Sequence, residues 1–337
     1  MFGVPNFSFR RAAAGRRAAI SRGPAWLVAA VCGVLLLAAC GGTTGAQQRA
    51  EASADAAQDA RPVVLATFTV IADMASVVAG DHLRVESVTK AGAEIHGYEP
   101  TPDDLRRAAR ADLVLDNGLG LEAWFDKFVD RLDAPHVTLS DGVDTIPITG
   151  GEARGHANPH AWMSPAAAQV YVANIADAFA ALDPAHAEDY RANAAAYSAQ
   201  IAALGDELER ELAALDPARR ALVTCEGAFS YLARDAGLAE AWLWPVNSER
   251  QGTPQQVAAT IDFVRDNRVP AVFCESTVSS TAQEQVADEA GARFAGVLYV
   301  DSLSEADGPV PTYLQLLAHD VRTIVAGLTG ADAEARP

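Results

Sequence analysis

Residues 184–215 confine the fold more than any other stretch of this 337-residue chain. They are rich in Ala, Glu, Leu and Arg, with no proline after Pro184 and a single glycine, Gly205. Apolar side chains fall at Tyr190, Tyr197, Ile201, Leu204, Leu208, Leu212 and Leu215, at separations of three, four or seven. That is the repeat of one helix face. The spacing predicts one helix of roughly 30 residues, ~45 Å long at the usual rise per residue. Pro184 suits its first turn and Pro217 marks its exit. A helix of that length runs across a whole domain, so the flanking chain has to form two bodies joined by a stiff strut.

Both flanks carry the same alternation of short apolar runs and helical patterns. In the first, strands are expected at 63–70, 83–88, 111–116 and 136–139, with helices at 72–79, 102–109 and 119–132. In the second, strands are expected at 221–225, 241–244, 271–274 and 294–298, with helices at 227–236, 254–267, 281–290 and 312–328. Such alternation argues for an α/β fold of two lobes, each a parallel sheet flanked by helices. The lobes are residues 63–183 and 217–330, with the linking helix over 184–216. Half of the residues are hydrophobic and 21 % are charged, the composition of a globular protein. The formal charge of −18 argues against a nucleic-acid partner, which needs clustered Lys and Arg.

The N-terminus is different. Residues 1–39 carry Arg10, Arg11, Arg16, Arg17 and Arg22 and no acid, and residues 25–39 are apolar. Roughly fifteen apolar residues are too few for a membrane span and suit the h-region of an export signal. The run ends in Leu37, Ala38, Ala39, Cys40 and Gly41, which resembles the lipobox of bacterial lipoproteins, where the Cys is acylated and becomes the first residue. The alternatives are an ordinary signal peptide or an uncleaved anchor; Arg10 and Arg11 fit twin-arginine export poorly. Loss of residues 1–39 takes the charge from −18 to −23, which suits solubility and the attraction of cations. Residues 40–62 are rich in Gly, Thr, Ala, Gln and Asp, have no large apolar side chain and read as a flexible tether. Of four cysteines, Cys32 leaves with the signal and Cys40 is lipidated, so Cys225 and Cys274 remain. Each ends a core strand, and equivalent ends of neighbouring parallel strands lie ~5 Å apart, within disulfide range. The alternative is a pair of free thiols acting as soft metal ligands.

In open parallel sheets, ligands bind beyond the carboxyl ends of the strands. Four candidate ligands follow strands there: His96 in KAGAEIHGYEPTPDD, His160 in NPHAWMSP, Glu226 in CEGAF and Asp301 in LYVDSLSEADG. Two come from each lobe, and lobes that face one another bring the four together. Taken singly, a loop His or acid is more often a solvated side chain, and separations above 60 residues provide no local motif.

The segments IHGYEPTPDDL, NPHAWMSP, VTCEGAFSYLA, NSERQGTPQQV and DSLSEADGPVPTYLQLLAHDV resemble, in order and spacing, those of the metal-binding solute-binding proteins of ABC transporters (solute-binding family 9). The resemblance covers residues 63–328. It implies the cluster A-I fold, a metal site of His96, His160, Glu226 and Asp301, and delivery of the ion to a membrane permease by a monomeric, lipid-anchored receptor without catalytic activity. One departure is Glu94-Ile95, where the family usually has Asp-Pro before its first His. His156 reads as solvent-exposed, and His82, His136, His186 and His319 as structural or solvated. Glu275 either orients a ligand or caps the next helix; Tyr98, Trp162 and Trp244 read as packing residues, and Glu99 as an electrostatic screen.

Two imidazoles and two carboxylates form a hard donor set that suits Mn²⁺, with Fe²⁺ and Zn²⁺ as alternatives. Zinc prefers four-coordinate sites with N and S donors, yet outbinds Mn²⁺ at most N/O sites, so tight zinc binding in vitro is expected beside manganese transport. Rival functions are a surface adhesin and a metal-dependent hydrolase. The hydrolase would need an open coordination position, and neither HExxH nor a Ser-His-Asp order is present.

Overall fold

The computed structural model describes residues 61–125, 134–246 and 252–330. The expected signal (1–39) and nearly all of the expected tether (40–62) lie outside them. The first half begins with β1 (Val63–Ala66), α1 (Thr69–Ala79), β2 (Arg84–Ser87), α2 (Pro102–Ala108), β3 (Leu113–Asp116) and β4 (His136–Thr138). These strands form a parallel sheet in the order β2-β1-β3-β4. A 3₁₀ turn (Ala161–Met163) and α3 (Pro165–Leu182) follow. The two central strands are apolar apart from Asp116 at the end of β3, which fits their burial: β3 is wholly buried and β1 nearly so.

The strut is α4 (Ala187–Ala213), preceded by a 3₁₀ turn at Pro184–His186. Its buried residues Tyr190, Ala194, Tyr197, Ile201, Leu208 and Leu212 form one stripe. They pack on α1 and α3 from the first half and on the last helix of the chain, so α4 touches both halves. The expected span of 184–216 is trimmed at both ends. Pro184 and His186 belong to the tighter turn, and the helix stops at Ala214 before Pro217.

The second half holds β5 (Ala221–Glu226), α5 (Ser230–Asp235), β6 (Ala239–Trp244), α6 (Pro254–Asp266), β7 (Ala271–Glu275), α7 (Thr281–Ala290), β8 (Arg293–Leu298) and α8 (Tyr313–Thr329). Strand β5 pairs with β6 and β7 with β8, both parallel. Strands β5 and β7 lie side by side, and Cys225 and Cys274 are joined in a disulfide with Cα atoms 4.9 Å apart. Among the described residues no helix is long and apolar enough to cross a membrane.

Three expectations are corrected. The strand expected over 63–70 ends at Ala66, and Thr69 and Val70 already belong to α1. The helix expected from residue 119 does not begin there. Gly118, Leu119 and Gly120 have φ of 78°, 55° and 77°, a left-handed run incompatible with a right-handed helix, and residues 119–125 form turns. The remainder of that expected helix lies outside the described residues. Helix α3 was not expected, although Ser164 and Pro165 are its N-cap and first residue and Ser164 Oγ accepts the N–H groups of Ala166 and Ala167. Its many alanines and scattered apolar residues blur the helical period, and tertiary burial of Tyr171, Val172, Ile175 and Phe179 decides the outcome.

The disulfide closes a loop of 49 residues, which in the chain-entropy treatment stabilises the fold by about 4 kcal/mol. Peptide mapping after alkylation without reductant should find Cys225 and Cys274 unmodified. Modification of both would contradict the bond, as would a Cys225→Ser/Cys274→Ser chain with unchanged unfolding midpoint.

Candidate metal centre

Four ends of chain elements meet at one point. His96 lies in the loop after β2, His160 directly precedes the 3₁₀ turn, Glu226 is the last residue of β5, and Asp301 lies just past β8. His96 Nε2 is 3.2 Å from His160 Nε2, 3.6 Å from Glu226 Oε1 and 3.9 Å from Asp301 Oδ2. His160 Nε2 is 3.9 Å from Glu226 Oε1 and 3.6 Å from Asp301 Oδ1. A tetrahedron of donors about 2.0–2.2 Å from a central ion has edges of about 3.3–3.6 Å. The observed separations bracket that range. The side chains of His160, Asp301 and Glu226 are 0 %, 3 % and 6 % exposed, and that of His96 is 11 % exposed.

Local sequence explains how each side chain is held. His160 is aimed by Asn158, whose Oδ1 lies 3.0 Å from His160 Nδ1 and also accepts the His160 backbone N–H. Donation from Nδ1 leaves the lone pair on Nε2, the atom facing the other three groups. Asn158 is itself fixed by donating to the Gly227 carbonyl at 2.7 Å, next to Glu226. The His96 loop is pinned by Glu94, whose carboxylate accepts the N–H groups of His96 and Gly97 at 2.6 and 2.7 Å, and by Trp124, which donates to the Ile95 carbonyl. The departure at Glu94-Ile95 thus fastens this loop. Glu275 accepts the Glu226 N–H on both carboxylate oxygens, at 3.3 and 3.2 Å, while Ser280 occupies the N-cap of α7. Glu275 therefore orients the end of β5 and does not cap the helix.

Electrostatics favour a cation. Burial, followed by Glu226, Glu94 and Glu275, pushes the Asp301 carboxyl well above the usual carboxylate range. Burial and then Glu226 do the same to Glu275. Burial and the neighbouring His96 hold His160 well below the ordinary imidazole value, so it is neutral and able to donate its lone pair. Asp301 Oδ1 is buried without a hydrogen-bond partner, an unfavourable state that a bound ion would relieve.

The other sequence candidates sit elsewhere. His156 is exposed, His82 pairs with Asp189, His186 with Asp183, and His319 bonds the Val297 carbonyl. Glu99 is exposed, and the charge felt at Asp301 is that of Glu94. Trp162 is fully buried against His160 and Phe68, Trp244 is buried in the second half, and Tyr98 packs on Trp124 and donates to Asp104. Cys225 and Cys274 are joined in the disulfide and so offer no pair of thiolate ligands. Sequence reasoning missed Asn158 and Trp124. An Asn two residues before a candidate ligand is a signal for the first; Trp124 has none, because its bond to Ile95 depends on the turn at 118–125.

A family model described as "Zinc-uptake complex component A periplasmic" matches residues 64–327. The iron-binding protein YfeA of Yersinia pestis is 52 % identical over 265 residues, covering 78 % of this chain and 85 % of that protein. The manganese ABC transporter substrate-binding lipoprotein PsaA of Streptococcus anginosus is 30 % identical, over 82 % of this chain and 92 % of its own. The manganese-bound periplasmic metal-binding protein of Candidatus Liberibacter asiaticus superposes with a TM-score of 0.75 at 39 % identity, covering 80 % of this chain and all of that one. The chain is thus a transport protein rather than an enzyme, and it belongs to the periplasmic zinc-uptake component A family, the metal-binding receptors of ABC transporters.

Proposed function

We propose that His96, His160, Glu226 and Asp301 are the ligands of a single divalent ion, that this ion is manganese, and that the chain hands it to the permease of an importer. Convergence of two imidazole Nε2 atoms and two carboxylates from four separate elements, within 3.2–3.9 Å of one another along the measured edges, carries the proposal. Two carboxylates match the charge of a divalent ion, and oxygen donors able to bind through both atoms favour Mn²⁺ over the four-coordinate preference of zinc. A second reading is Fe²⁺, favoured by the relative named for iron. The same donor set suits it, and competition between the two ions at one site is the expected behaviour.

The lobes that enclose the ion are residues 63–183 and 217–330, with the strut over 184–216. Export and anchoring rest on residues 1–39 and an acylated Cys40, followed by the tether over 40–62. With Cys40→Ser, the protein should leave the membrane fraction; continued firm attachment would make the apolar stretch itself the anchor.

Because an ion bound only by the folded state adds RT ln(1 + [L]/Kd), a hundredfold excess over Kd stabilises by about 2.7 kcal/mol. Mn²⁺ should therefore raise the melting temperature of the wild type, and His160→Ala or Asp301→Ala should abolish the rise. An unchanged rise in either variant removes that residue from the site.

Acid should weaken binding. The raised Asp301 carboxyl has to lose its proton when the ion enters, so below its raised pKa the ion competes with protons. His160, already held low, adds no competition until the pH falls through its depressed value. Calorimetry in buffers of different ionisation enthalpy should show protons released as Mn²⁺ binds, with Kd rising on acidification. A Kd that does not rise on acidification would contradict this competition.

A further inference from the structure

The four ligands are not equally enclosed. His96 is the most exposed of the four, so the loop that carries it forms the side of the site nearest solvent. Most bonds on that loop come from its own half: Thr89 N–H to the Thr67 carbonyl, Ala93 N–H to the Lys90 carbonyl, Glu94 to the His96 and Gly97 amides, and Trp124 to the Ile95 carbonyl. Those bonds can travel with the loop. The hydrogen bonds that carry it across to the second half start from Gly92.

Gly92 donates its N–H to Ser302 Oγ at 2.7 Å, with a longer component to the Leu303 carbonyl at 3.2 Å. Ser302 directly follows Asp301 and is 2 % exposed, whereas Gly92 is exposed. The Ser302 hydroxyl donates to the Leu303 carbonyl at 3.1 Å and lies 3.4 Å from Thr69 Oγ1. Thr69, at the start of α1, accepts the Leu303 N–H at 2.9 Å. One buried hydroxyl therefore joins the segment carrying the most exposed ligand to the segment carrying Asp301, close to the solvent side of the site.

We propose that Ser302 is a positioning residue for metal release: its hydroxyl clasps the His96 loop to the Asp301 segment and sets the rate at which the bound ion escapes. Resting on the four-ligand reading above, the proposal concerns residues that do not themselves touch the ion. Bonds that form after the ion enters and break before it leaves act on dissociation more than on association. Loss of one neutral hydrogen bond, partly replaced by the Leu303 carbonyl, corresponds to a change of a few-fold and at most about tenfold in rate.

The test mixes Mn²⁺-loaded protein with an excess of a chelating dye and follows capture of the ion in a stopped-flow instrument. Ser302→Ala should release Mn²⁺ about three- to tenfold faster than wild type. Its association rate, its metal-free melting temperature and the electron paramagnetic resonance spectrum of its bound Mn²⁺ should stay unchanged. Thr69→Val, which removes the acceptor of the Leu303 N–H and keeps the shape, should act in the same direction and provides a second variant if Ser302→Ala fails to fold. Wild-type release rates in folded Ser302→Ala and Thr69→Val, with binding still abolished by Asp301→Ala, overturn the clasp and leave the site standing. Wild-type protein that takes up no Mn²⁺ overturns both.

Discussion

Gathering carboxyl groups away from water is costly, and this protein gathers three of them where its strands end. Asp301, Glu226 and Glu275 are 2 %, 5 % and 3 % exposed, each beside another of the set. Unpaired anions in such surroundings take up protons or a counter-ion. Burial and the neighbouring carboxylates accordingly push Asp301 and Glu275 well above the usual carboxylate range. A divalent ion held by the four proposed ligands would offset the charge of Glu226 and Asp301 together and take imidazole lone pairs from His96 and His160. The four donors stand within 3.2–3.9 Å of one another along the measured edges.

Holding the donors there is the task of the scaffold. Parallel strands direct their carboxyl ends to one side, so each ligand follows a strand or the loop beyond it. Helix α4 packs on both halves through a single stripe of six buried residues, which limits how far the halves can part. Across the seam, Trp162 donates to the Val300 carbonyl and the Tyr313 hydroxyl donates to the Trp162 carbonyl. Tyr313 N–H donates to Asp73 at 2.8 Å. His160 and Asp301 are thus each flanked by residues bonded to the opposite half.

Much of this was legible in the sequence because it rests on periodicity. The strut announces itself through Tyr190 to Leu212, and most strands through short apolar runs bounded by Gly, Pro or Asp. The convergence of His96, His160, Glu226 and Asp301 follows from strand ends that face one another. The expected placement of Cys225 and Cys274 on neighbouring strands likewise agrees with the disulfide. What escaped depends on tertiary geometry. The left-handed run at Gly118, Leu119 and Gly120 breaks a helical pattern that is otherwise well formed, and it swings Trp124 under the His96 loop. Helix α3 hides its period because it is apolar on most faces. Asn158, Glu94 and Ser302 are ordinary polar residues until the fold brings them within hydrogen-bond distance, whereas Glu275 is already a candidate in the sequence for orienting a ligand.

Ligand chemistry separates Mn²⁺ from Fe²⁺ weakly, since both accept the same mixture of imidazole and carboxylate. Relatives named for each metal fit a site whose selection lies in geometry and supply more than in donor type. The position of the ion is a sharper question than its identity. Anomalous diffraction from crystals grown with Mn²⁺, recorded on either side of the manganese edge, answers it directly. One strong peak about 2.1–2.3 Å from His96 Nε2, His160 Nε2 and carboxylate oxygens of Glu226 and Asp301 is the expected result. A fully occupied peak elsewhere in the chain, with these four side chains still in contact only with one another, would contradict it.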